Sequence, residues 1–140
     1  MKFNKLTPNL MVEDVAKNLD YYIDVLGFTF VMGVEPGSQE PLMAYERGTE
    51  LSFAIMQGGG VELMLQNCDS LAEEVPDFSS MQVGGSFCCY IEMEGIEEFY
   101  SRVGGKVDLV FELKTQFYGM REFCFRDCNG YYLSFAERVQ

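Results

Sequence analysis

From Leu6 to Val12 the chain is apolar and extended in character, and from Asp14 the period changes. Val15, Leu19, Tyr22, Ile23 and Leu26 then recur at helical steps, which places them on one face of an amphipathic helix. Gly27 follows directly and predicts the helix C-terminal cap. Phe28, Phe30 and Val34 lead a strand into the turn-rich Glu35-Pro36-Gly37-Ser38. Two more strands are predicted near Leu51–Met56 and Val61–Gln66, with Gly58-Gly59-Gly60 as the hairpin turn between them. A polar connection containing Pro76 runs from Asn67 to about Gly85.

The pattern then begins again. Phe87 to Met93 reads as a strand, and Ile96, Phe99, Tyr100 and Val103 as one face of a short helix stopped by Gly104-Gly105. Val107, Leu109 and Phe111 alternate on the next strand, while Met120–Arg126 and Tyr131–Ala136 form a last hairpin around Asp127-Cys128-Asn129-Gly130. The halves superimpose as sequences: Val12-Glu13-Asp14-Val15 matches Met93-Glu94-Gly95-Ile96, Gly27-Phe28 matches Gly105-Lys106, and Gly60-Val61 matches Gly130-Tyr131. This internal repeat predicts an α+β chain of two tandem modules, each β-α-β-β-β, at about residues 5–66 and 84–138. One helix covers one face of a four-stranded sheet, so the other face is expected to cup around a partner or a ligand.

Composition narrows the function. At 140 residues, with 48% apolar and 23% charged side chains, the chain has the profile of one ordered domain. Lys2, Lys5, Pro8, Asn9 and Glu13 interrupt the apolar residues near Met1, so no signal-peptide core is expected there. No segment reaches the ~18 apolar residues of a membrane helix, and a cytoplasmic location is expected. Five cysteines, Cys68, Cys88, Cys89, Cys124 and Cys128, show no C-x-x-C pairing and are expected to be reduced, buried small hydrophobes. Twenty-two acidic against ten basic side chains leave a charge of −12. That balance disfavours nucleic acid and anionic membranes as partners and favours cations.

Two segments carry a resemblance to a known family. The opening, Leu6-Thr7-Pro8-Asn9-Leu10-Met11-Val12-Glu13-Asp14-Val15 through Leu26-Gly27-Phe28, and the end, Tyr118-Gly119-Met120-Arg121-Glu122-Phe123 through Arg126-Asp127-Cys128-Asn129-Gly130-Tyr131-Tyr132, resemble the glyoxalase/bleomycin-resistance (vicinal oxygen chelate) superfamily. The second segment looks most like the bleomycin-resistance branch. The resemblance implies a single domain over residues 1–140, whose two modules form a cupped, partly closed mixed eight-stranded sheet. It also implies a homodimer, and Pro8 matches a position that accompanies exchange of N-terminal strands between subunits in the bleomycin-binding branch.

Metalloenzymes of that superfamily hold a divalent ion with four inward side chains, commonly His and Glu. Carried over by resemblance, the four positions are Thr7 or Asn9, Met64, Cys88 and Ser134; a shifted register would bring in Glu62 or Gln66. The chain has no histidine, the commonest metal ligand and neutral-pH base, and the remaining donors do not suit hard divalent ions. No metal or other cofactor is therefore expected. The implied function is capture of a small cationic or amphipathic compound, with Thr7, Asn9, Glu62, Met64, Cys88, Tyr90, Arg121, Tyr132 and Ser134 as expected ligand contacts. The absence of Trp leaves Phe and Tyr for stacking. The alternative is a lyase, isomerase or dioxygenase of the same superfamily with a rearranged site.

Overall fold

Pro8 has no N–H to give to a ladder, and this shortens the first strand from the expected Leu6–Val12 to β1, Asn9–Val12. The Pro8 carbonyl still accepts the Met64 N–H at 2.9 Å, so the chain is aligned for pairing before it can pair fully. A computed structural model describes the whole chain, residues 1–140. Its contacts divide into two units, 1–83 and 84–140.

In the first unit, Asp14 ends β1 and caps α1 (Val15–Asp24), its carboxylate accepting from the Lys17 N–H at 3.0 Å. Gly27 closes that helix with a φ of 83°, a left-handed conformation costly for residues with a Cβ. Strands β2 (Thr29–Val34), β3 (Phe53–Gly58) and β4 (Val61–Asn67) follow. The sheet order is β1-β4-β3-β2, with β1 parallel to β4 and the remaining pairs antiparallel. Leu10, Val12, Ala54, Met56, Leu63 and Leu65 share one sheet face with Val15, Leu19 and Tyr22 of α1 in a buried layer. Asn9, Met11, Phe53, Ile55, Glu62, Met64 and Gln66 alternate with them and occupy the other face.

The connection after β4 is more structured than its polarity predicts. Asn67 accepts from the backbone N–H groups of Asp69 and Ser70 and starts α2 (Cys68–Glu74); a 3-10 turn, Pro76–Ser80, follows. An N-cap side chain and one buried anchor, Leu71, suffice to order a segment with no apolar period to announce it.

The second unit repeats the plan with β5 (Cys88–Glu92), α3 (Ile96–Val103), β6 (Asp108–Thr115), β7 (Met120–Arg126) and β8 (Tyr132–Arg138). Its order, β5-β8-β7-β6, is the counterpart of the first, again with one parallel pair, β5 and β8. The eight strands thus form two separate four-stranded sheets rather than one continuous eight-stranded sheet. Phe99 of α3 packs on Phe123 and Phe135, and Phe123, Phe125 and Phe135 stack at centroid spacings of 5.7 to 6.1 Å. Each fully buried ring or Leu here contributes about 1.5–3 kcal/mol from lost water contact.

The start of α3 lacks a cap of its own. Gly95 stands at the N-cap with a φ of 82° and no side chain to offer, and Glu137 from β8 substitutes. Its two carboxylate oxygens accept the N–H groups of Gly95 and Ile96 at 3.0 and 2.9 Å. The Ile96 and Gly95 N–H groups hold the Glu137 carboxyl below its ordinary value of 4.5. The folded-state value is depressed, so this stabilisation is present above the ordinary carboxylate range and is lost as pH falls through the lower folded value. Glu137→Gln is expected to melt at a lower temperature than the native chain at neutral pH, with the gap narrowing in acid. Thermal melts of both proteins across an acidic pH series check this.

Candidate functional site

Alternation in the two sheets sorts the expected contact residues. In the first unit, Asn9, Glu62 and Met64 all lie on the face away from α1, and Asn9 is the register partner of Met64. Thr7, just before β1, donates to Glu62 Oε1 at 3.3 Å, and Lys5 Nζ lies 2.7 Å from the same oxygen. The hydrogen bond from Lys5 holds the Glu62 carboxyl below its ordinary value. Asn9 donates to Gln66 Oε1 at 2.8 Å, and Gln66 in turn donates to Ser70 and Glu74 of α2. These groups form a polar edge to a face whose middle is Ile55, Phe53 and Met64.

In the second unit, Cys88, Tyr90, Tyr132 and Ser134 share the face away from α3, with Cys88 opposite Tyr132 and Tyr90 opposite Ser134. Arg121 does not join them. It has the parity of Phe123 and Phe125, faces the α3 side, and is ion-paired with Glu97 of that helix. Its neighbour Glu122 takes the open face instead, 4% exposed, and was not among the expected contacts. Tyr90 donates to Glu122 Oε2 at 2.9 Å, and Tyr118 donates to Oε1 in a shorter bond. Tyr132 lies under the Arg126 guanidinium, 5.4 Å from the ring centroid.

The thiols depart from the expectation of uniform burial. Cys124 is buried, but Cys88 and Cys128 are exposed, because Cys88 opens an edge strand and Cys128 sits in the Asp127–Gly130 turn. Burial pushes the thiols of Cys68, Cys89 and Cys124 up from their ordinary value of 9.0, the opposite of what a nucleophile needs. Cys124 is in hydrogen-bonding contact with Ser134 and Cys88.

Neither half offers a donor set for a hard divalent ion. The first-unit positions hold a hydroxyl or amide and a thioether; the second-unit positions hold a thiol and a hydroxyl. Within either unit, no three Cys, Asp or Glu side chains come close enough to grip an ion. These donors do not match the oxygen and imidazole preference of Mg, Mn, Fe or Ni, so no step of chemistry is routed through such an ion. A cleft of about 570 Å³ lies at the end of the first sheet, lined among others by Ser38, Glu50, Ser52, Phe53, Asp69 and Glu73. None of the expected contacts lines it.

Comparison with known proteins agrees with this architecture. The Glyoxalase/Bleomycin resistance protein/Dioxygenase superfamily model matches residues 2–135. The chain belongs to that superfamily. It is 27% identical over 142 residues to the bleomycin resistance protein of Geobacillus stearothermophilus, covering 95% of this chain and 96% of the relative. The bleomycin resistance protein of Staphylococcus aureus matches at the same identity and coverage. Among solved structures, a protein of unknown function from Agrobacterium tumefaciens aligns with a TM-score of 0.74 at 21% identity, over 99% of this chain and 97% of that one. The bleomycin-binding protein of Streptomyces verticillus, solved with copper(II)-bleomycin, aligns with a TM-score of 0.61 at 20% identity, over 100% and 98%. These structural likenesses establish the fold, two βαβββ units with mixed four-stranded sheets. No helix of the chain is long and apolar enough to cross a membrane.

The Tyr90–Glu122 contact has a titratable signature. Partial burial, then the hydrogen bond donated to Glu122, push the Tyr90 phenol up from 10.0 to about 12. The folded-state value is raised, so the stabilisation is complete below pH 10.0 and is lost as pH climbs toward 12. Near-ultraviolet phenolate absorbance is expected to show late-ionising tyrosines, Tyr45 also being raised to about 12. Tyr90→Phe is expected to remove one late step, and Glu122→Gln to return Tyr90 toward its ordinary value.

Proposed function

We propose that the protein captures a small cationic or amphipathic compound stoichiometrically, without a metal, in the manner suggested by its bleomycin-resistance relatives. The observation that carries this reading is the character of the open sheet faces. They present Met64, Ile55, Phe53, Tyr90 and Tyr132 with acidic groups beside them, and the positions matched by resemblance to the superfamily's ion-holding ones carry Asn9 or Thr7, Met64, Cys88 and Ser134. An apolar and aromatic surface with a few fixed polar groups suits binding of an organic molecule. A charge of −12 steers a cation toward it.

Thr7, Asn9, Glu62, Met64, Cys88, Tyr90, Tyr132 and Ser134 are the contacts this reading assigns. Arg121, engaged by Glu97 on the α3 side, acts through α3 rather than by touching the ligand. The protein works in the cytoplasm, on a ligand that has already crossed the membrane.

Metal-free bleomycin titrated calorimetrically into the purified protein is expected to saturate at a fixed stoichiometry, with affinity falling as salt rises and with the ligand recovered unchanged. A panel of other basic amphipathic compounds extends the titration. Absence of heat and of any melting shift with bleomycin and the whole panel overturns the reading. So does a tightly retained divalent ion accompanied by turnover of a glyoxalase or dioxygenase substrate.

The working unit is a homodimer, as a sheet covered by its own helix on one face only calls for a further partner on the other, and exchange of the N-terminal strand around Pro8 is the route this chain offers to it. Light scattering coupled to size exclusion is expected to return twice the 15.9 kDa chain mass. A single-chain mass at all concentrations rules the dimer out.

A further inference from the structure

Glu122 poses an electrostatic problem that the protein leaves unsolved by itself. It is 4% exposed, yet none of the five ion pairs includes it. Its cross-strand neighbour Lys114 could supply the counter-charge from β6, but the Lys114 ammonium lies 4.6 Å over the Phe111 ring instead. Two neutral phenols, Tyr90 on Oε2 and Tyr118 on Oε1, are the side-chain donors that satisfy the carboxylate. A buried charge held only by neutral donors favours any cation that can approach.

What the cluster presents to solvent is aromatic. Tyr90 is 50% exposed and Tyr118 47%. Phe117 is almost entirely exposed and meets Tyr118 edge to face at 5.1 Å. A phenol whose hydroxyl donates to a carboxylate becomes richer in electron density, which strengthens attraction of a cation to its ring face. The phenols also occupy one acceptor position on each carboxylate oxygen. A strongly hydrated ion or a primary ammonium, which needs several oxygen acceptors at once, finds little to bind. A diffuse, weakly hydrated cation finds ring faces with a negative charge behind them.

We infer that Tyr90, Glu122 and Tyr118 form a subsite for a quaternary-ammonium-like organic cation. The inference rests on the capture reading, because it names the charged portion of the captured molecule that this face would hold. Glu122 is the charge and the two tyrosines are the contact surface. Phe117 supplies an apolar flank.

Choline and its uncharged tert-butyl isostere, dimethylbutanol, are the probes, followed by nuclear magnetic resonance of the tyrosine ring protons at constant ionic strength. Choline is expected to perturb Tyr90 and Tyr118 saturably and to bind roughly tenfold more tightly than the isostere. Glu122→Gln is expected to lower choline affinity about tenfold and leave the isostere unchanged, with a thermal melt recording whether the variant folds. If it does not fold, Tyr118→Leu replaces it; that change removes an exposed ring and is expected to weaken choline several-fold. Equal binding of cation and isostere, no saturable perturbation, or undiminished choline binding by the folded variant overturns the subsite. Bleomycin captured normally by a protein that ignores choline sinks the subsite alone; choline bound at the cluster with no capture of bleomycin or of any compound of the panel sinks the capture reading alone.

Discussion

One helix cannot cover both faces of a four-stranded sheet. In the first unit α1 buries Leu10, Val12, Ala54, Met56, Leu63 and Leu65; in the second α3 buries Phe123, Phe125, Leu133 and Phe135. Asn9, Glu62, Met64 and Gln66 in the first unit, and Cys88, Tyr90, Glu122, Tyr132 and Ser134 in the second, are displaced onto the opposite faces by alternation along the strands. The consequence is a division of labour fixed by parity. Odd positions of β4 and of β7 hold the fold together, and even positions meet whatever lies on the other side.

That parity also explains what the sequence made legible and what it hid. The repeat, both amphipathic helices and the glycine turns could be read directly, because each is a local signal: a helical period, a cap, or a residue that tolerates positive φ. The face assignment of Arg121 and Glu122 was harder. Met120 through Phe125 is buried except for Arg121, so the alternation that normally tells inside from outside is flattened, and a single-residue error exchanges the two faces. The stacked pair Phe123 and Phe125 held the missing information, since Arg121 shares their parity and Glu122 does not. Likewise α2 is anchored by an Asn67 cap and by Leu71 rather than by an apolar stripe, so its polarity disguised it.

Polar residues on the open faces are tied down in chains rather than left as isolated groups. Asn9 holds Gln66, which holds Ser70 and Glu74; Tyr90 and Tyr118 hold Glu122; Cys124 meets Ser134 and Cys88. Satisfied networks of this kind fix side-chain positions on a half-exposed surface that packing alone would leave loose. They also account for the thiols. With raised values at Cys89 and Cys124 and no imidazole anywhere in the chain, these two thiols serve as small polarisable filler and not as nucleophiles.

The charge balance bears on function through where the cations are, more than through how few there are. Of ten Lys and Arg side chains, Lys5, Arg47, Arg121 and Arg126 are committed to ion pairs, and Arg102 and Lys114 lie over the rings of Phe99 and Phe111. Most of the positive charge is therefore already spoken for near a carboxylate or a ring, leaving little to neutralise the remaining acids. The negative field is then a property of whole faces and not of one patch, and it decays over about 8–10 Å at physiological salt. Such a field gathers cations from solution without selecting among them. Selection has to come from short-range features, which on the second sheet means half-exposed phenols backed by a carboxylate that no Lys or Arg reaches.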